Sequence, residues 1–155
     1  MDTNREATRR EISPPVAFIG TFIGGMILSG ILGHPDLPLS GSFERTIGIA
    51  GMLLGAGLLF SAVRLFRDAG VDPWRGAPDL IADGVYGRSR NPMILGMGII
   101  YLGAAIFADS MITLLLIAPL FFVLQNEVIE PEETDMQTRF GDRYRAYKED
   151  VRRWI

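Results

Sequence analysis

The sequence predicts an all-α, polytopic membrane protein with about four transmembrane helices and a cytoplasmic C-terminal helical segment. Three observations carry that expectation. The chain has 155 residues, 48% of them hydrophobic, and the apolar residues fall in four blocks. Its mean hydropathy, +0.25, is high for a soluble protein. Its basic residues collect on one side of the topology that those blocks define. The length suits a single domain, residues 1–155.

Residues 1–15 are charged and read as a cytoplasmic N-terminus; no A-x-A-like site follows the first apolar run, so no cleavable signal peptide is expected. The first block, 16–33, and the second, 47–66, are long enough to span a bilayer, with only Arg64 interrupting the second. The third, 92–107, is short and fits a locally thin region or a polar N-terminus lying among headgroups. The fourth, 111–128, again has spanning length. Only Ala108, Asp109 and Ser110 separate the last two, which predicts a tight helical hairpin. Gly20 and Gly24, and Gly51 and Gly55, are small residues at spacing four, which let helix backbones approach closely in lipid. Four buried helices of a soluble bundle are the competing reading. A chain this short has too little amphipathic surface to cover them.

Orientation follows from arginine and lysine. Arg5, Arg9 and Arg10 precede the first block. Arg64, Arg67, Arg75, Arg88 and Arg90 lie at or between the second and third. Six more follow the fourth, from Arg139 to Arg153. Only Arg45 falls opposite, so 14 of 15 basic residues share one side, assigned to the cytoplasm with both termini. The net charge of −3 argues neither for nor against nucleic acid, and no nucleic-acid partner is expected; oligomeric state is left open. There is no cysteine, and the one histidine, His34, lies on the far side. Disulfides, cysteine nucleophiles and thiolate metal sites are excluded, and no metal is expected.

Two cytoplasmic segments remain, 68–91 and 129–155. The first is rich in turn residues: Gly70, Pro73, Gly76, Pro78, Gly84 and Gly87. The second carries Met136, Phe140, Tyr144, Tyr147 and Val151 at helical spacing, with a bend expected at Gly141. Its plain reading is an amphipathic helix lying on the membrane.

The chemistry concentrates where these segments meet the membrane. In "SRNPMILG", Asn91 is a good N-cap and Pro92 suits the first helical position. A helix start there, with Arg88 and Arg90 beside it, favours an anion. The same residues also read simply as a helix start with positive-inside markers. In "NEVIEPEETD", Glu127, Glu130, Glu132, Glu133 and Asp135 follow a membrane helix, with Pro131 at a second expected helix start. They read either as a solvated acidic run or as a cation site. Basic and acidic helix starts side by side would suit a zwitterion such as S-adenosylmethionine.

The motifs "LIADGVYGRSRNPMILG" and "EETDMQTRFGDRYRAYKEDVRR" resemble those of the isoprenylcysteine carboxyl methyltransferase and phospholipid methyltransferase group of small integral membrane methyltransferases. The resemblance runs from about Phe66 to Trp154. It implies S-adenosylmethionine bound between the two cytoplasmic segments, with contacts at Asp79, Leu80, Ile81, Tyr86, Asn91, Pro92, Met93, Ile94 and Glu132. Arg90 falls on the motif's arginine. Glu132 or Glu133 would serve as base if crowding raised its pKa, which makes Glu132, Glu133 and Arg90 the candidate catalytic residues. Asn91 stands where histidine is usual, Ile94 for tyrosine and Arg152 for proline. Val128 occupies the position of an arginine that binds a prenylcysteine carboxylate in other members. The implied reaction is methyl transfer to a lipophilic acceptor, an isoprenylcysteine-like carboxylate, a lipid amine or another small group, entering from membrane lipid. The alternatives are a relative of NADPH-dependent membrane sterol reductases and a non-catalytic membrane module.

Overall fold

The computed structural model describes residues 12–39, 41–70 and 79–155. The expectations for Arg5, Arg9 and Arg10, and for Pro73, Arg75, Gly76 and Pro78, lie outside the described residues. The described chain is helical, without strands. In order come α1 (Pro14–Ile31), α2 (Gly41–Asp68), a 3-10 turn (Gly84–Gly87), α3 (Pro92–Phe107), α4 (Met111–Leu115), α5 (Ile117–Leu124), a π-helical turn (Gln125–Ile129), α6 (Glu130–Phe140) and α7 (Asp142–Asp150). Three runs are long and apolar enough to cross a membrane: α1, α2 and the stretch Met111–Phe140; α3 is a shorter apolar helix.

The exposed surface is that of an integral membrane protein. On α1 the outward stripe is Val16, Ile19, Ile23, Ile27 and Ile31, while Phe18, Gly25 and Ser29 face inward. On α2, Leu53, Leu54 and Phe60 are about two-thirds exposed. A water-soluble protein does not present continuous apolar faces of that extent; lipid solvates them.

Small residues set the packing of α2 on α3. A Cβ at Gly55 would lie 2.6 Å from the carbonyl oxygen of Gly96, and one at Gly48 would lie 2.8 Å from that of Gly103. Gly51, expected in a close pair with Gly55, faces Gly103 Cα. Gly20 and Gly24 have no neighbour within 4 Å of such a Cβ, so that pair is not at a helix contact here. The hairpin after α3 turns at Asp109 (φ 48), and Ser110 caps α4 by accepting from Thr113 N. Asp109 Oδ1 also accepts from Leu37 N at 2.7 Å, which ties the hairpin to the loop after α1.

The fourth apolar block departs from expectation. The sequence suggests a membrane helix ending at 128 and a fresh helix at Pro131. The chain instead stays helical from Met111 to Phe140, with adjustments where its two prolines remove a hydrogen bond. Pro119 lacks the N–H that Leu115 would accept, and α4 ends at Leu115. Pro131 follows the π turn, in which Glu130 N reaches back to Gln125 O. Ile129 is fully helical (φ −67, ψ −49). The acidic cluster therefore does not sit at a free helix end.

α6 and α7 meet at Gly141, whose φ of 54 with ψ of −121 suits glycine and bends the tail back. The stripe, whose plain reading is a helix lying on the membrane, packs inward: Tyr144, Tyr147 and Val151 form a cluster with Leu80, Met136 and Phe140.

Candidate cofactor cleft

The cleft lies where the start of α3 meets α6 and α7. Its lining comes from Phe66 at the end of α2, Leu80, Ile81, Tyr86, Arg90 and Asn91 from the segment before α3, and Glu132, Glu133, Met136, Tyr144 and Tyr147 from the tail. It encloses about 70 Å³, and about 470 Å³ when counted to its open mouth. Its wall is largely apolar and aromatic, with a few polar groups converging on it, the usual make-up of a small-molecule site.

The approach to α3 is built by local bonds. Tyr86 is buried against Phe66, ring centroids 5.5 Å apart, and Tyr147 donates its hydroxyl to Tyr86 O at 2.7 Å. Burial pushes the phenol of Tyr86 well above its ordinary range, and those of Tyr144 and Tyr147 to about 12, so all three remain neutral at physiological pH. Ser89, also buried, accepts from Asn91 N and donates to Arg153 O.

Asn91 occupies the N-cap position of α3, and Pro92 the first helical position, as the motif predicts. The side chain of Asn91 nevertheless makes no cap bond. Its Nδ2 is buried without a hydrogen-bond partner. A buried amide donor left unpaired costs roughly 1–3 kcal/mol, and such exceptions are uncommon enough to ask what satisfies them. Asn91 is a residue of the cleft wall.

Arg90 and Glu133, expected to face a ligand, hold each other. Arg90 donates to Glu133 Oε1 from Nε (3.3 Å) and Nη2 (3.0 Å), and from Nη1 to the carbonyls of Val151 (2.9 Å) and Lys148 (3.4 Å). Arg153 grips the same carboxylate from its other side. Burial alone would push the Glu133 carboxyl up, but hydrogen bonds from Arg153 and Arg90, with their charges, hold it below its ordinary value of 4.5. The condition for Glu133 to act as a base, a raised pKa, is not met. Glu132, the residue before it, lines the cleft and is exposed.

Among the expected contacts, Leu80, Ile81, Tyr86, Asn91 and Glu132 come together on the cleft with Arg90 and Glu133. Asp79 does not line it; it accepts from Leu80 N and pairs with Arg143, and those partners hold its pKa low. Pro92 is fully buried, Met93 packs against the Phe66–Tyr86 cluster, and Ile94 belongs to the membrane core with Met97, Tyr101 and Leu124. Phe66, Met136, Tyr144, Tyr147 and Arg153 were not singled out for the site. The apolar stripe of the tail was the signal for three of them.

Residues 43–143 match the family model described as phospholipid methyltransferase. A protein of Haemophilus influenzae, described as uncharacterized, is 33% identical over 63 residues, which is 41% of this chain and the whole of that protein. No solved structure matches the chain.

Proposed function

Since the chain belongs to the phospholipid methyltransferase family, we propose that this membrane methyltransferase takes its methyl group from S-adenosylmethionine bound in the cleft and passes it to a lipophilic acceptor in the membrane. The observation that carries the cofactor reading is the buried, unpaired Nδ2 of Asn91, aligned with Glu132 and an aromatic wall around one cleft. S-adenosylmethionine brings acceptors for that donor, in its carboxylate and purine nitrogens, and donors for a carboxylate, in its ammonium and ribose hydroxyls. Tyr86, Tyr144, Tyr147 and Phe66 offer flat apolar surface for a base.

When bound, the cofactor supplies an electrophilic methyl carbon on a sulfonium, displaced in line with loss of a neutral thioether. The protein's part is to hold acceptor and methyl in line and keep water out, effects worth about 7–11 kcal/mol when geometry is good. Asn91 would fix one end of the cofactor and Glu132 the other. Arg90 would act through the carbonyls it holds, and Glu133 through the two arginines it pairs with.

The charge arrangement favours an amine as acceptor over a carboxylate. Arg90 and Arg153 are both committed to Glu133, and Val128 is a buried apolar residue. An ammonium must lose a proton before it attacks, and Glu132 is a carboxylate on the cleft to receive it.

The test uses purified protein in vesicles of total membrane lipid with methyl-labelled S-adenosylmethionine. The reading expects label in the organic extract, stable to mild alkali as an N-methyl group is. Alkali-labile label would indicate a methyl ester and overturn the amine assignment. Absence of label, together with no binding of the cofactor or its demethylated product, would overturn the reading as a whole.

A further inference from the structure

We propose that Arg153 is a positioning residue for the cleft, and that the last residues of the chain form a strap whose closure and cofactor binding stabilise each other. The proposal rests on the cofactor reading of the cleft. Arg153 donates from Nε to Glu133 Oε1 at 3.1 Å and from Nη2 to Oε2 at 2.8 Å, the two-pronged geometry in which a guanidinium fixes a carboxylate's orientation. Arg90 approaches the same Oε1 from Nε and Nη2. Glu133 is thus a hub between an arginine just before α3 and an arginine in the segment after α7.

Backbone bonds run in parallel. Arg90 N donates to Arg152 O at 3.0 Å, Ser89 Oγ to Arg153 O at 3.1 Å, and Arg90 Nη1 to Val151 O. Trp154 then packs against Phe121 on the membrane core, with ring centroids 5.4 Å apart and the rings tilted by 50°. Residues 151–154 therefore lie across the segment that carries Ser89, Arg90 and Asn91. Ser89 Oγ accepts from Asn91 N, so the strap's grip on Ser89 reaches Asn91, a residue of the cleft wall whose Nδ2 is buried and unpaired. Arg153 does not line the cleft itself; it fixes the residues that do.

The consequence is a linkage. A ligand that uses Asn91 in its strap-closed position favours closure, and loosening the strap weakens the ligand by the same factor. Losing Arg153 removes two charge-assisted bonds, and the expected loss in affinity is about tenfold or more.

The experiment uses the full chain in detergent micelles and measures the dissociation constant of S-adenosylhomocysteine by calorimetry, below the melting temperature of every variant. Arg153→Gln should weaken binding about tenfold, and Arg153→Lys, which keeps the charge but not the fork, should fall between. Tyr101→Phe is the control for stability alone: it loses the 2.7 Å bond to Thr113 O inside the membrane bundle and should melt earlier with unchanged affinity. Equal affinities for wild type and Arg153→Gln would overturn the proposal, as would an equal loss in Tyr101→Phe. If Arg153→Gln does not fold, the Arg153→Lys comparison decides in the same way. Absence of wild-type binding would defeat the cofactor reading instead, and the strap is then judged by trypsin. Cleavage after Lys148 and Arg152 should be about tenfold faster in Arg153→Gln; an unchanged rate would overturn the strap.

Discussion

Replacing Asn91 by leucine should move stability and binding in opposite directions. The side chains are similar in shape, but leucine has no donor to leave unpaired. In the free protein the buried Nδ2 has no partner, and a buried unsatisfied amide costs roughly 1–3 kcal/mol. Asn91→Leu removes that penalty, so the ligand-free protein should unfold at a higher temperature or denaturant concentration. In the proposed complex the same donor is the group that the ligand satisfies. Its loss should cost binding a similar 1–3 kcal/mol, about fivefold to more than a hundredfold in dissociation constant. The assay is paired: thermal unfolding of ligand-free protein in detergent, and calorimetric titration with S-adenosylhomocysteine. If both stability and affinity fall, Asn91 is a structural cap and the reasoning fails. If affinity is unchanged, Nδ2 does not meet the ligand.

Other outcomes follow from the same contacts. Gly55→Ala places a methyl 2.6 Å from the Gly96 carbonyl and should destabilise by about 1–3 kcal/mol, whereas Gly57→Ala meets nothing within 4 Å and should gain from helix propensity; equal unfolding temperatures would contradict the close α2–α3 contact. The Glu133 carboxyl titrates below its ordinary 4.5 when folded, so its contribution to stability is complete above about pH 5.5 and lost as pH falls through the folded value. The stability gap between wild type and Glu133→Gln should therefore be flat near neutrality and close in acid, and a gap that widens in acid would refute the ion-pair account. Reporter fusions after Gly33 and Ser110 should read as outside, and fusions after Phe66 and at Ile155 as inside; a cytoplasmic signal after Gly33 would invert the proposed topology.

Much of the fold was legible because membrane helices announce themselves by length and composition. The bounds of α3 and the hairpin at Ala108–Ser110 follow directly from the apolar blocks. Pro131 misled because proline commonly starts a helix. Here a π turn accommodates it within a continuous one, and that choice depends on whether Val128 and Ile129 can be buried, which local sequence does not state. The site was legible in its parts and not in its pairing. Asn91 and Glu132 stand out in their motifs. Yet nothing local says that Arg90 and Arg153, 43 and 20 residues from Glu133, would both be consumed by it. With 15 basic and 18 acidic residues, the possible pairings are too many. The tail's stripe left two readings open, because an amphipathic helix looks the same whether its apolar face meets a membrane or, as with Tyr144 and Tyr147, the chain's own Leu80.

The central claim is that the cleft beside Glu132 holds an adenosyl sulfonium cofactor, and the most direct measurement is the dissociation constant of S-adenosylmethionine for wild type, Glu132→Gln and Glu149→Gln, side by side. Glu149 is exposed on α7 and does not line the cleft. The account predicts binding by wild type, a roughly tenfold or greater loss in Glu132→Gln, and no change in Glu149→Gln. Indistinguishable constants for the two variants, or no binding by the wild-type protein, would contradict it.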